Sequence, residues 1–165
     1  LDEFDQEEAE IRVIMGPQDD MFSRQGIETF LNSEYTVTSD FDRMGCRLEG
    51  PFIAQKETSD IISDGTVFGS VQVPSHGKPI ILLADRQTTG GYAKIATVAS
   101  VDIPKVVQRK TDHKIRFRAI TVEEAQELYL KEVQELDGMR RIIHQPCKEV
   151  LECRLVAKRL RKLFE

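Results

Sequence analysis

Between residues 11 and 120 the chain is cut into short β-type runs, each closed within a few positions by glycine, proline or an Asp-Gly pair, and this punctuation leaves little room for long helices. Residues 11–15 form a β-branched run that stops at Gly16-Pro17. Residues 35–38 and 46–49 alternate, the second run ending before Gly50-Pro51, and residues 66–73 follow an Asp64-Gly65 turn. Residues 79–83 are apolar throughout, which predicts a strand covered on both faces; residues 94–101 and 114–120 complete the set. One helix interrupts the strands, with Phe22, Ile27, Phe30 and Leu31 on one face and Asp20 or Ser23 as its cap. About seven short strands predict a mainly β fold, a barrel or a sandwich with one or two flanking helices.

The length of 165 residues suits one domain with an appendage. We divide it into an acidic linker over residues 1–10, a barrel domain over residues 11–136 and a helical tail over residues 137–165. The first ten positions hold six acids and no base, and the chain opens on Leu1, so a fragment of a longer protein is expected. Thr121-Val122-Glu123-Glu124 is a capping box that starts a helix running to Leu136, with interruptions at Gly138 and Pro146. From Cys153 the positions Val156, Leu160 and Leu163 repeat at near-heptad spacing, a face that needs either the barrel or another chain, including a second copy, to cover it. From Met139 onward eight bases face three acids, which reads first as a solvated helix face.

A net charge of -5 argues against nucleic acid as a partner. No run is apolar enough for a membrane span, and three irregularly spaced cysteines make no disulfide framework, so a cytoplasmic location is expected. No serine sits in a nucleophile elbow, and no phosphate loop ends in Gly-Lys-Ser or Gly-Lys-Thr. No metal is expected either: Pro146 lies between His144 and Cys147, and His76 and His113 lack ligand-like neighbours.

Chemistry concentrates in A-D-R-Q-T-T-G-G-Y-A-K-I-A-T-V, residues 84–98, a polar segment mounted between two apolar runs. Read as a loop, Gly90-Gly91 frees backbone amides to point at an anion, and Thr88 and Thr89 add hydroxyl donors. Arg86 suits a paired contact to a carboxylate, while Asp85 and Lys94 suit a base or a charge partner. The competing reading is a tight hairpin in which Asp85 and Arg86 pair with each other. Two further clusters are D-R-M-G-C-R-L-E-G-P, with Arg43, Arg47 and Glu49 among apolar neighbours, and S-D-G-T-V-F-G-S-V-Q-V-P, where Gly69 permits close approach and Gln72 presents an amide.

These three motifs in this order, together with I-R-V-I-M-G-P-Q-D-D at residues 11–20, resemble the C-terminal half of the allophanate hydrolase subunit 2 family. That family includes the C subunit of 5-oxoprolinase, the antagonist of the Kip kinase inhibitor, and the carboxyltransferase region of urea carboxylase. The resemblance extends to Glu127. Cys46 stands where the family usually has an aromatic residue, Ala93 where it often has proline, and Thr111-Asp112-His113 where it has a Pro-Gly-Asp turn.

The resemblance implies a cyclophilin-like β-barrel, a Kip-inhibitor-like sister subunit, the N-terminal half of the same protein as a further partner, and biotin-dependent carboxyl transfer on a urea- or lactam-type amide. On that reading Asp85, Arg86 and Lys94 form the catalytic set. Gln87, Thr88, Thr89, Gly90, Gly91, Tyr92, Arg43 and Gln72 bind substrate or anion at the barrel mouth, Asp85 and Gln87 orienting the ring and Tyr92 forming a wall. Biotin would arrive on another protein, because Lys56, Lys78, Lys94, Lys105 and Lys110 lack the flanking methionines of an acceptor motif. Two alternatives stay open. One is the C subunit of an ATP-dependent 5-oxoprolinase, with ATP held by the complete complex; the other is a non-catalytic module that antagonises a histidine-kinase inhibitor. The half present here is expected to be inactive alone.

Overall fold

A computed structural model describes residues 6–56 and 60–144, Asp60 by its backbone alone. The features read at Pro146, Cys147 and the repeat from Cys153 lie outside the described residues. In chain order the strands are β1 (Glu8–Met15), β2 (Glu34–Phe41), β3 (Gly45–Glu49), β4 (Asp60–Gly65), β5 (Ser70–Gln72), β6 (Ile80–Leu82), β7 (Thr89–Tyr92), β8 (Lys94–Val98) and β9 (Lys114–Ala119). The helices are α1 (Arg24–Asn32), α2 (Ile103–Val107) and α3 (Val122–Ile143).

Seven strands close a barrel in the order β1-β8-β5-β6-β3-β2-β9, while β4 and β7 pair with each other as a separate ribbon. The seam is parallel, β1 lying beside β9 from Glu8 opposite Lys114 to Val13 opposite Ala119. Closure removes the open edges that make sheets sticky. The period-2 pattern is what fills the interior: Ile11, Val13, Tyr35, Val37, Cys46, Leu48, Val71, Ile81, Ile95 and Ile115 are all buried to within 1%. Phe30 of α1 stacks on Phe117 of β9 at 4.4 Å between ring centroids, and burying a ring of this size contributes about 1.5–3 kcal/mol. The cap of α1 is Ser23, whose hydroxyl accepts the Gly26 amide at 2.9 Å. Gly26 itself lets the helix close on the chain, since a Cβ there would stand 2.1 Å from the Ala54 carbonyl oxygen.

Outside the barrel interior, Arg12 forks onto Asp102 with bonds of 2.7 and 2.6 Å, and the same carboxylate accepts the Arg12 amide at 2.9 Å. Asp102 is fully buried and precedes α2, so this pair fastens α2 to β1. Burial pushes the Asp102 carboxyl pKa up, but the bonds from Arg12 outweigh it and the net shift is downward.

Several elements depart from the expectations. Asp64 and Gly65 do not turn; they end β4, and the reversal falls at Gly69, whose φ of +87° a side chain would resist. Gly90 and Gly91 are not a loop but the middle of β7, with Gly90 opposite Asp64, and neither has a positive φ. In β6 only Ile81 is buried, because Ile80 and Leu82 face a cleft rather than a second layer of protein. β1 begins at Glu8, within the acidic run. The capping box forms as read, with Thr121 and Glu124 exchanging side-chain-to-amide bonds of 2.8 and 3.1 Å. α3 then continues through Gly138 to Ile143, because an isolated glycine costs a helix only about 1 kcal/mol, which strong helix formers on either side offset.

By contacts the chain divides into Leu1–Leu130, which holds the barrel, and Lys131–Glu165, which takes up the later part of α3. No described helix is long and apolar enough to cross a membrane.

Candidate functional site

Because Cys46, Val71 and Ile81 point into the barrel, their neighbours Gly45, Arg47, Gln72, Ile80 and Leu82 must point out. These outward residues meet the β4–β7 ribbon and the segment leading into it across a cleft of about 180 Å³. The cleft therefore lies on the barrel wall, not at its mouth as expected. The ribbon side supplies Thr66, Arg86, Gln87, Thr89, Gly90 and Tyr92.

Gln72 and Thr66 are the buried polar residues of this cleft, at 6% and 7% exposure. Nε2 of Gln72 reaches the Tyr92 carbonyl at 3.4 Å, a long bond. Gly90 makes the approach possible: a Cβ at that position would stand 2.5 Å from the same Nε2. Glycine here thus serves closeness, not the anion-holding turn that the double glycine suggested, because the ladder with β4 engages its backbone. The Thr66 hydroxyl bonds the Gln87 carbonyl and its amide donates to Thr88 at 3.0 Å, which pins the start of the ribbon.

Arg86 is half-buried at one end of the cleft. Its guanidinium lies 5.9 Å from the Phe68 ring centroid, and Nη1 donates to the Leu83 carbonyl at 3.4 Å. Its Nε is buried without a hydrogen-bond partner. Asp85, the neighbouring acid, does not pair with it. Arg43 takes that carboxylate in a fork of 2.6 and 3.0 Å at the surface, and these bonds hold the Asp85 pKa below its ordinary value.

Lys94 is 2% exposed and its ammonium bonds Asp64 at 2.9 Å. Gln18 donates to the same carboxylate oxygen at 2.8 Å and brackets the Lys94 backbone, accepting its amide and donating to its carbonyl, each at 3.0 Å. The bond from Lys94, then that from Gln18, holds the Asp64 pKa low. This trio ties the ribbon to β8.

Of the expected site residues, Arg86, Gln87, Thr89, Gly90, Tyr92 and Gln72 line one cleft. Asp85, Lys94, Thr88, Gly91 and Arg43 are not among its lining. Arg47, Thr66 and Asp42 line it and were not picked out as site residues. The signal for Arg47 was present, since it alternates with the core residues Cys46 and Leu48 and must face outward. The Asp42 carboxylate is occupied by the amides of Met44 and Gly45, at 2.8 and 3.0 Å. What remains is a cleft that presents a carboxamide, hydroxyls and two guanidinium groups over an apolar floor. A cavity near 150 Å³ accommodates a benzene-sized ring, so this one suits a single small ring.

Comparisons with known proteins agree with that architecture. Residues 2–119 match the model of a family described as carboxyltransferase domain, subdomain A and B. The chain is 39% identical over 135 residues to the 5-oxoprolinase C subunit of Haemophilus influenzae, covering 82% of this chain and 44% of that protein. It is 36% identical over 115 residues to the protein of the same name from Escherichia coli, covering 70% and 37%. It thus spans less than half the length of these curated relatives. Among solved structures, Kluyveromyces lactis urea carboxylase superposes with a TM-score of 0.76 at 24% identity, over 81% of this chain and 13% of that one, a likeness of fold.

Proposed function

The chain belongs to the carboxyltransferase domain family, subdomain A and B, and from that premise we propose that it is the barrel part of an enzyme subunit that binds a small lactam or urea-type amide beneath the β4–β7 ribbon. The observation that carries this reading is Gln72, a carboxamide nearly removed from water in a cleft of one-ring size. A carboxamide is complementary to the adjacent N–H and C=O of a lactam or urea, and leaving such a group unpaired costs about 1–3 kcal/mol. The relatives named as C subunits of 5-oxoprolinase point to 5-oxoproline, a five-membered lactam.

Carboxyl transfer from biotin is the second reading, favoured by the family description and by the same cleft. The ureido ring of biotin presents the same N–H and C=O edge, and Gly90 leaves open the space in front of Gln72 that a Cβ would fill. When bound, biotin, carried on another protein, supplies the carboxyl group; Gln72, Thr66 and Thr89 are the residues that would border its ring. On either reading the remaining machinery lies outside this chain: the other half of the protein, a Kip-inhibitor-like sister subunit and, for lactam opening, the ATP site.

In the complete assembly, ATP hydrolysis driven by 5-oxoproline and not by urea supports lactam opening, and the reverse with bicarbonate present supports carboxyl transfer. Response to neither substrate overturns both readings. Gln72→Leu is expected to lower kcat/KM about tenfold or more with thermal stability preserved; an unchanged kcat/KM removes the cleft from the reaction.

A further inference from the structure

We propose that Arg86 reads a carboxylate on the bound ring, so that the cleft selects an acidic lactam over an uncharged amide; this rests on the small-amide reading above. Buried guanidinium nitrogens almost always have an acceptor, and Nε of Arg86 has none. Arg86 forms no ion pair among the described residues, although Asp85 is its chain neighbour. Arg86 lines the cleft, and the ring of Phe68 and the carbonyl of Leu83 are the contacts of its guanidinium. Its planar fork matches a carboxylate in geometry as well as charge. A second arginine, Arg47, lines the same cleft, and the acid there, Asp42, is already engaged by two backbone amides.

The fork between Arg43 and Asp85 gains a purpose from this. Both side chains are more than half exposed, 77% and 52%, and such surface pairs add little to stability. What the pair does is occupy the carboxylate adjacent to Arg86 in the chain. Arg43 is thus a positioning residue: it is not part of the cleft lining, and it leaves Arg86 available for a ligand.

The test compares 5-oxoproline with 2-pyrrolidinone, the same lactam ring without its carboxylate, in the complete assembly. Wild type should favour 5-oxoproline by about tenfold or more in kcat/KM, and Arg86→Gln should cut kcat/KM for 5-oxoproline about tenfold to a hundredfold with a much smaller loss on 2-pyrrolidinone. Arg43→Ala should erode the preference, and adding Asp85→Asn should restore it, which a merely structural role would not do. Equal loss on both lactams in Arg86→Gln, or no restoration in the double variant, overturns the proposal. A wild type that uses both lactams equally overturns it alone, whereas a wild type that uses neither overturns the lactam reading and this one with it.

Discussion

A methyl group at position 90 would stand 2.5 Å from Gln72 Nε2 and 3.2 Å from a methyl of Thr66. The atom in the way is the tip of a flexible side chain, so Gly90→Ala should displace the carboxamide and leave the backbone where it is. The expected outcome is a normal melting temperature with kcat/KM in the complete assembly down about tenfold, the size of one misplaced hydrogen-bonding group; a normal kcat/KM would show that the Gln72 amide is not used. Position 90 also marks how far single residues speak for themselves. Glycine is permissive in two ways, by conformation and by lack of bulk. Next to another glycine and two threonines it looks like a turn, and only the contact with Gln72, distant in sequence, reveals that bulk is the issue. Arg86 is a different case: its type suits a paired contact to a carboxylate, and the fold places it in the cleft lining with no ion pair among the described residues.

The ribbon of β4 and β7 carries one wall of the cleft, yet it is not part of the barrel ladder. Its polar tie to β8 runs through Asp64, Lys94 and Gln18. Asp64→Asn keeps the shape and removes the charge that faces a buried ammonium. Hydrogen exchange should then quicken at residues 61–65 and 89–92 while the amides of β1 and β9 keep their protection. The pH dependence has a definite sign. The folded pKa of Asp64 is lowered, so the tie is intact above the ordinary carboxylate range and is lost as pH falls through that lowered value. Acidification should therefore reproduce the Asp64→Asn exchange pattern; identical ribbon exchange in wild type and variant at neutral pH would show that the tie holds nothing. Barrel strands were readable because one buried face imposes alternation, as at Tyr35 and Val37 or Ile115 and Phe117. β4 and β7 were not, because Asp-Ile-Ile-Ser-Asp-Gly and Thr-Gly-Gly-Tyr place no alternating apolar set on a core. Nor does anything local mark Asp64, among 28 acids, as the partner of Lys94.

At the scale of the whole barrel, β1 carries the parallel seam, pairing with β9 there and antiparallel with β8 on its other side. The buried Arg12–Asp102 fork fastens α2 to that strand, with Lys105 3.5 Å from the same carboxylate. The Asp102 pKa is lower folded than unfolded, so its contribution is complete above the unfolded value of about 3.9 and disappears as pH falls through the folded one. Glu34, Asp64 and Asp85 shift in the same direction but lie toward the surface, where screening leaves them little weight. Asp102 should thus dominate the acid limb of the stability curve. Asp102→Asn presents Arg12 with a neutral amide in a buried site and is expected to cost about 3–5 kcal/mol at neutral pH. That is a large part of the roughly 5–15 kcal/mol typical of a domain. The double change Asp102→Asn with Arg12→Met removes the buried cation as well and should recover part of the loss. Urea denaturation from neutral pH down to about pH 3 reads both effects. The wild type should lose stability steeply at the acid end, and the double variant should show a flatter limb. Parallel curves for the two proteins would remove Asp102 as the source of acid sensitivity.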